Sequence, residues 1–292
     1  MRVEKEIRVN IAGKDRTIVS DDDYLKHIKR GFEPEMVALY RSLLKRGDVV
    51  LDVGANIGCT AIVFSELAQM VHAFEPSRTT CNFLRRNIAG AGLTNVAIHD
   101  VGLGAVSGEF PLTFNPSNRS GGFVSNQLRA GAGHVIETIS LRTADEMVKA
   151  LNIPKVDFIK IDVEGFERDV LMGAKGLIAA HRPVVVLELN HWCLNAFQRI
   201  SIPDFFDLLR SLFPVVLAVD GESFMNLHDE SESYTVMYQH ILHMKFPNVV
   251  AAFDAAALDR FYAAYQHGAP RSGVRAKLKK WMVRFSNTWV GR

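Results

Sequence analysis

The sequence predicts an α/β fold: a Rossmann-like, doubly wound sheet of seven strands, mostly parallel with one antiparallel late strand, and helices on both faces. Three observations carry this. Short apolar, β-branched runs recur at residues 49–53, 71–74, 96–99, 156–161 and 183–187. Segments of helical period separate them, and crossovers of roughly a dozen residues or more make the joined strands parallel. Two later runs, 215–219 and 234–238, stand closer together, which places an antiparallel member at the end of the sheet.

Taken in order, residues 6–11 and 17–19 alternate around Gly13-Lys14-Asp15 and read as a hairpin. Ser20-Asp21-Asp22-Asp23 offers N-caps for a helix from Tyr24, and Pro34 opens a second whose apolar side is Val37, Leu39, Tyr40, Leu43 and Leu44. The first core strand runs into Asp52-Val53-Gly54-Ala55-Asn56-Ile57-Gly58 and a helix bearing Ile62, Val63, Leu67 and Met70. A second strand ends at Glu75, before a helix begun at Pro76-Ser77, and a third ends at Asp100. Residues 104–134 have loop composition, notably Ser117-Asn118-Arg119-Ser120-Gly121-Gly122, and a loop of that length inside such a domain is usually functional. A strand resumes at 136–141 and a helix at Thr143. The next core strand ends at Asp162, followed by Val163-Glu164-Gly165 and a helix, and the fifth ends in Glu188-Leu189-Asn190. Three parts are expected: an N-terminal hairpin and helix extension (1–31), the α/β domain (32–250), and a C-terminal helical extension with a basic amphipathic tail (251–292).

Composition narrows the class. The 292 residues are 48 % hydrophobic, enough for a full core, and the net charge of +2 gives no bulk attraction to nucleic acid. Cys59, Cys81 and Cys193 lack metal-ligand spacing and read as reduced thiols of a cytoplasmic protein. No export signal and no apolar run of about 18 residues is visible. The tail is the exception to a plainly soluble pattern. Seven basic residues and no acid fall within 269–292, where Val274, Leu278, Trp281, Met282, Phe285 and Trp289 recur at helical spacing. Such a segment suits either a membrane-peripheral or partner-protein contact or packing on the domain itself.

The chemistry is written at the strand tips. Ligands of a doubly wound sheet bind at the carboxyl ends of its strands, and here Asp52, Glu75, Asp100, Asp162 and Glu188 all fall there. A rim of carboxylates suits a ligand bearing an ammonium, a ribose and a cationic centre, and S-adenosylmethionine has all three. Neither a Gly-x-Gly-x-x-Gly pattern nor a Walker lysine is present. The stretch from Asp52 to Gly58 looks like motif I of class I S-adenosylmethionine-dependent methyltransferases. Phe158-Ile159-Lys160-Ile161-Asp162-Val163-Glu164-Gly165-Phe166-Glu167, followed by Val170-Leu171-Met172-Gly173-Ala174, is similar to the hallmark of the FkbM-type family. Glu33-Pro34-Glu35 and Phe74-Glu75-Pro76 also fit, so the resemblance covers roughly residues 32–190. Where family members commonly carry Leu-Asp before the hallmark, this chain has Leu141-Arg142.

The resemblance implies methyl transfer to a hydroxyl of a sugar, glycan or natural product, with 32–250 as the methyltransferase domain. Candidate cofactor-binding residues are Asp52, Gly54, Ala55, Asn56, Gly58, Glu75, Asp100 and Asp162, with Glu75 on the ribose diol and Asp100 at the adenine edge or capping a turn. Candidate catalytic residues are His191, Glu164 and Asp162, the first two competing as general base. By similarity to catechol O-methyltransferase, Asp162, Glu188 and Asn190 could hold Mg2+ as oxygen ligands; otherwise Glu188 is a structural acid. Rival functions are N-methyl transfer to an amine or peptide and a non-catalytic cofactor-binding module.

Overall fold

The computed structural model describes residues 3–125, 131 and 133–268. The basic tail expected at 269–292 lies outside them, as do 126–130 and 132 of the expected loop.

The chain opens with the hairpin β1 (Lys5–Ile11) and β2 (Lys14–Ser20), then α1 (Tyr24–Ile28) and α2 (Pro34–Leu43). The first wound half follows as β3 (Val49–Val53), α3 (Cys59–Leu67), β4 (Met70–Phe74), α4 (Arg78–Gly90) and β5 (Val96–His99). Four strands form a separate sheet: β6 (Gly102–Leu103), β7 (Gly108–Asn115), β8 (Asn118–Val124) and β9 (Val135–Arg142), in the order β6-β9-β7-β8. The second half comprises α5 (Ala144–Ala150), β10 (Phe158–Ile161), α6 (Glu167–Gly173), α7 (Lys175–His181), β11 (Val184–Glu188), α8 (His191–Gln198), α9 (Ile202–Leu212) and β12 (Val215–Asp220). Last come β13 (Ser223–Asn226), α10 (Glu230–His243), β14 (Asn248–Ala252), α11 (Asp259–Ala264) and β15 (Gln266–His267).

The main sheet has nine strands rather than seven, ordered β15-β13-β12-β14-β11-β10-β3-β4-β5. β5, β4, β3, β10 and β11 are parallel, as their long crossovers require. β14 runs against both of its neighbours, β13 runs against β12, and β15 follows β13, so three late strands are reversed instead of one. Alternation along the strands feeds two cores. Val50, Phe158, Val186 and Val250 pack toward α2, α3 and α4, whereas Leu51, Ile159, Val185 and Ala251 face the helices of the second half.

Two expectations are corrected. Residues 234–238 lie in α10, not in a strand. Tyr-Thr-Val-Met-Tyr has strand propensity, but Asp229 caps the helix through the N–H of Glu232 (2.9 Å), and Glu232, Thr235, Val236 and His240 are buried at helical spacing. The reversed strand beside the parallel set is β14, a short run without a sequence expectation of its own. Much of 104–134 is also paired: β7 joins both β8 and β9, with a register irregularity near Thr113 and Asn115. Glycine and serine hid β8, because its partner and not its own side chains holds it.

The N-terminal hairpin is fastened to the sheet's helices. The Asn87 amide donates to the carbonyls of Val19 and Ile57, and Arg16 pairs with Glu66 at 2.8 Å. The turn after the hairpin reaches the second sheet, where the Arg119 guanidinium pairs with Asp21 and the Arg119 N–H donates to Asp22 at 3.1 Å. No helix among the described residues is long and apolar enough to cross a membrane.

Candidate active site

The strand order reverses between β3 and β10: the chain first winds outward through β4 and β5, then returns to the other side of β3. A crevice forms at such a switch point, outside the carboxyl ends of the strands. Here the two tips are packed as closely as the backbone permits. Gly54 takes φ +77°, and a Cβ on it would lie 1.9 Å from the carbonyl oxygen of Asp162. Only glycine fits there.

Lys160 fastens the same two tips from inside the sheet. It is 4 % exposed, stands opposite Asp52 in the parallel register, and donates to the carbonyls of Gly54 (2.7 Å) and Val53 (3.3 Å). Its ammonium also lies 3.4 Å from Asp52 and 3.5 Å from Asp162. Asp52 is fully buried, and this ammonium offsets the rise that burial imposes on its carboxyl.

Glu75, one residue beyond β4, is aimed by the backbone. Its carboxylate accepts the N–H of Asn56 and that of Ser77, each at 3.0 Å. Asn56 sits in the left-handed region at φ +49°, which turns its N–H toward Glu75. Burial pushes the Glu75 carboxyl up to about 7, against the pull of those two donors. The Ser77 hydroxyl donates to Glu137 of β9 (2.8 Å), so the second sheet is tied across the start of α4.

Two cavities meet at this point. One has Glu75, Ser77 and Gly54 on one wall and Leu103, Leu141 and Phe166 among its apolar residues. The other is lined by Glu33, Lys160, Asp162, Glu164 and Glu188, with Tyr24, Tyr40 and Asn248. Gly54, Asn56, Ser120, Asp162 and Glu164 line both. A single ligand can therefore reach from the apolar cavity into the acidic one past the glycine turn.

Glu164 stands at that junction. It is held in the left-handed region at φ +52°, an uncommon conformation for a non-glycine residue, and its Oε2 accepts the Cys193 thiol at 3.4 Å. Burial, then the charge of Asp162, pushes its carboxyl up to about 7. Glu167 supports the turn from behind by accepting the N–H groups of Val163 (3.2 Å) and Gly165 (3.1 Å). Glu188 ends β11 with its Oε2 buried and unpartnered, and burial with Asp162 and Glu164 pushes it up to about 9.

Other candidates fall elsewhere. Asp52 lies beneath the turn and lines neither cavity. Asp100 is held by Arg85 and the Cys81 thiol on the α4 side, and it too lines neither. Ala55 donates its N–H to Phe74 (3.0 Å), while a Cβ on Gly58 would meet Leu84 at 2.6 Å, so both pack the turn. His191 begins α8 edge-on to His240, ring centroids 5.1 Å apart, and lines neither cavity.

A family model of the methyltransferase FkbM domain matches residues 52–219, more than half of the chain. The chain belongs to this FkbM methyltransferase family. It is similar to the hexuronic acid methyltransferase AglP of Haloferax volcanii, 32 % identical over 154 residues, or 53 % of this chain and 61 % of the relative. It is likewise similar to the 31-O-demethyl-FK506 methyltransferase FkbM of Streptomyces tacrolimicus, 29 % identical over 195 residues, or 55 % of this chain and 67 % of the relative. The chain thus spans less than two thirds of the length of AglP. Among solved structures, methyltransferase FkbM from Methylobacillus flagellatus KT aligns at 21 % identity and a TM-score of 0.40, over 60 % of this chain and 42 % of that one.

The Glu75 carboxylate, held by two backbone N–H groups, stands beside a turn that no side chain can fill, an arrangement open to a polar ligand. The metal set does not fit. Asn190 spends its Oδ1 on the Cys193 N–H (3.2 Å) as the cap of α8, and no group of three or more His, Cys, Asp or Glu among the described residues is arranged to hold an ion. Sequence reading missed Lys160 as a site residue, although a lysine between Ile159 and Ile161 in a buried strand was the available signal. Tyr24 was likewise read only as part of a helix, and nothing local marks it as a cavity wall.

Proposed function

We propose that this FkbM-family chain is an S-adenosylmethionine-dependent O-methyltransferase acting on a hydroxyl of a sugar, glycan or natural product. The observation that carries the reading is the Glu75 carboxylate, fixed by two backbone N–H groups beside Gly54 and facing a cavity that continues into an acidic one. Glu75 accepts the ribose hydroxyls, Leu103 and Phe166 cover the adenine, and Asp162 takes the cationic end. The bound cofactor supplies a methyl group on a positive sulfur, open to in-line attack. Glu164 then holds the acceptor hydroxyl and takes its proton, since a carboxyl near pH 7 is matched to that task. His191 is the poorer base because its ring packs on His240. The relatives named for a hexuronic acid and for 31-O-demethyl-FK506 support a saccharide or natural-product hydroxyl as acceptor.

The test has two stages. Calorimetric titration with S-adenosylmethionine should give binding. Incubation of the protein and labelled cofactor with a cell extract, followed by mass spectrometry, should then place the methyl on an oxygen. Absence of cofactor binding refutes the reading; binding without any transfer leaves a cofactor-binding module, and label on nitrogen makes it an N-methyltransferase.

A further inference from the structure

The acidic cavity has an unbalanced wall. Among the described residues, Glu33, Asp162, Glu164 and Glu188 face it against one cation, Lys160. That ammonium has nothing to spare, because two carbonyl oxygens and two carboxylates already surround it within 3.5 Å. Arg119, on the neighbouring cavity, is paired with Asp21. Past Glu33 and Asn248 the cavity leads into a groove where Glu35 and Asp220 add two more acids. Asp220 is faced by Lys245 at 3.7 Å.

We propose that the part of this cavity toward Glu188 and Asn248 is an acceptor subsite for uncharged or amine-bearing sugar rings, and that it rejects rings carrying a carboxylate, phosphate or sulfate. This rests on the methyl-transfer reading of the same site. An anion placed here meets the carboxyl groups of Asp162, Glu33 and Glu164, the last ionised above about pH 7, with no unpaired cation among the described residues, while Glu188, pushed up to about 9, stays a neutral hydrogen-bonding group at neutral pH. A polyol meets partners instead. The buried Oε2 of Glu188 has none within the protein, and Asn56, Thr60 and Asn248 can donate to or accept from ring hydroxyls. Tyr24 and Tyr40 add aromatic walls. Burial first, and then the charge of Asp162, raises Glu33, Glu164 and Glu188, so the carboxyls already resist further negative charge.

The full chain, saturated with S-adenosylhomocysteine, is titrated with methyl glucoside, methyl glucosaminide and methyl glucuronide, and binding is followed by ligand-observed NMR and calorimetry. The glucoside and glucosaminide should bind, and the glucuronide at least about tenfold more weakly. Glucuronide binding as tight as that of the glucoside overturns the proposal, and so does failure of all three rings to bind. Failure of S-adenosylhomocysteine itself to bind sinks the cofactor reading first and is seen separately. Glu33→Lys, at an exposed position before α2, should shrink the glucoside-to-glucuronide ratio at least threefold. An unchanged ratio in a folded variant refutes the electrostatic cause.

Discussion

Replacing Glu75 by Gln tests the cofactor reading most directly. The side chain keeps its shape, but the carboxylate that accepts from Asn56 and Ser77 on one side and, in the proposed function, from a ribose diol on the other becomes an amide. One amide end can no longer accept, and it opposes one of the two backbone N–H groups. Hydrogen bonds to a charged group contribute about 1.5–3 kcal/mol each, so losing one or two should weaken cofactor binding by about 2–5 kcal/mol, or roughly 30- to 4000-fold in Kd. Calorimetry with S-adenosylhomocysteine reads this directly, and a thermal melt shows whether the variant is folded. Wild type offers an internal check through pH. A diol donates to the ionised carboxyl, which holds its proton up to about pH 7 in the free protein. Binding should therefore be about tenfold weaker at pH 6 than at pH 8, with a proton released on binding. A folded Glu75→Gln protein with Kd within twofold of wild type, or affinity flat from pH 6 to 8, would refute the ribose role.

Three other outcomes are expected. Glu164→Gln should lower kcat by about 10²- to 10⁴-fold while leaving S-adenosylhomocysteine affinity within a few-fold, and wild-type turnover should rise with pH and level off above about 7, where the base is ionised. Gly54→Ala should lose at least ~2 kcal/mol of stability in a denaturant melt, because φ +77° is strained for alanine and its Cβ would strike the Asp162 carbonyl; an unchanged melt removes the close-packing account. The ligand-free protein should melt lower as pH rises from 5 to 9. Glu75, Glu164 and Glu167 sit near 7 and Glu188 near 9, all above the usual glutamate value. Groups raised on folding favour the folded state below their unfolded value and lose that advantage as pH climbs through the folded one, by at most about 1.4 kcal/mol per pH unit for each proton. A melting temperature that climbs over that range contradicts the burial of these carboxyls.

What the sequence could disclose follows from how local each cause is. The Gly54 turn was legible because a strand, an acid and a glycine within seven residues have few other uses, and the five parallel strands because their apolar runs are bounded by helical periods. β14 was not, since partners distant in the chain, β11 and β12, hold it, and β8 was not, since its serine and glycines carry no strand pattern of their own beside its hairpin partner β7. α10 was misread because its cap and its buried face outweigh the strand propensity of two tyrosines and a valine.

The carboxylate rim shows the limit more sharply. Five acids at five strand tips look equivalent in the sequence, yet only Glu75, Asp162 and Glu188 line the cavities. Asp52 lies one residue inside β3, so the pleat turns it beneath the turn toward Lys160. Asp100 lies one residue past β5, as Glu75 lies past β4, but Arg85 and Cys81 draw it toward α4, whereas the Asn56 and Ser77 N–H groups draw Glu75 to the cavity. Position at a tip supplies the charge, and the donors nearest that tip decide where it points. Lys160 completes the arrangement from the residue that looked least functional. By meeting Asp52, Asp162 and the Gly54 carbonyl together, it offsets part of the rise that burial imposes on Asp52 and keeps two strand tips joined, and so leaves Glu164 and Glu188 without an unpaired cation among the described residues.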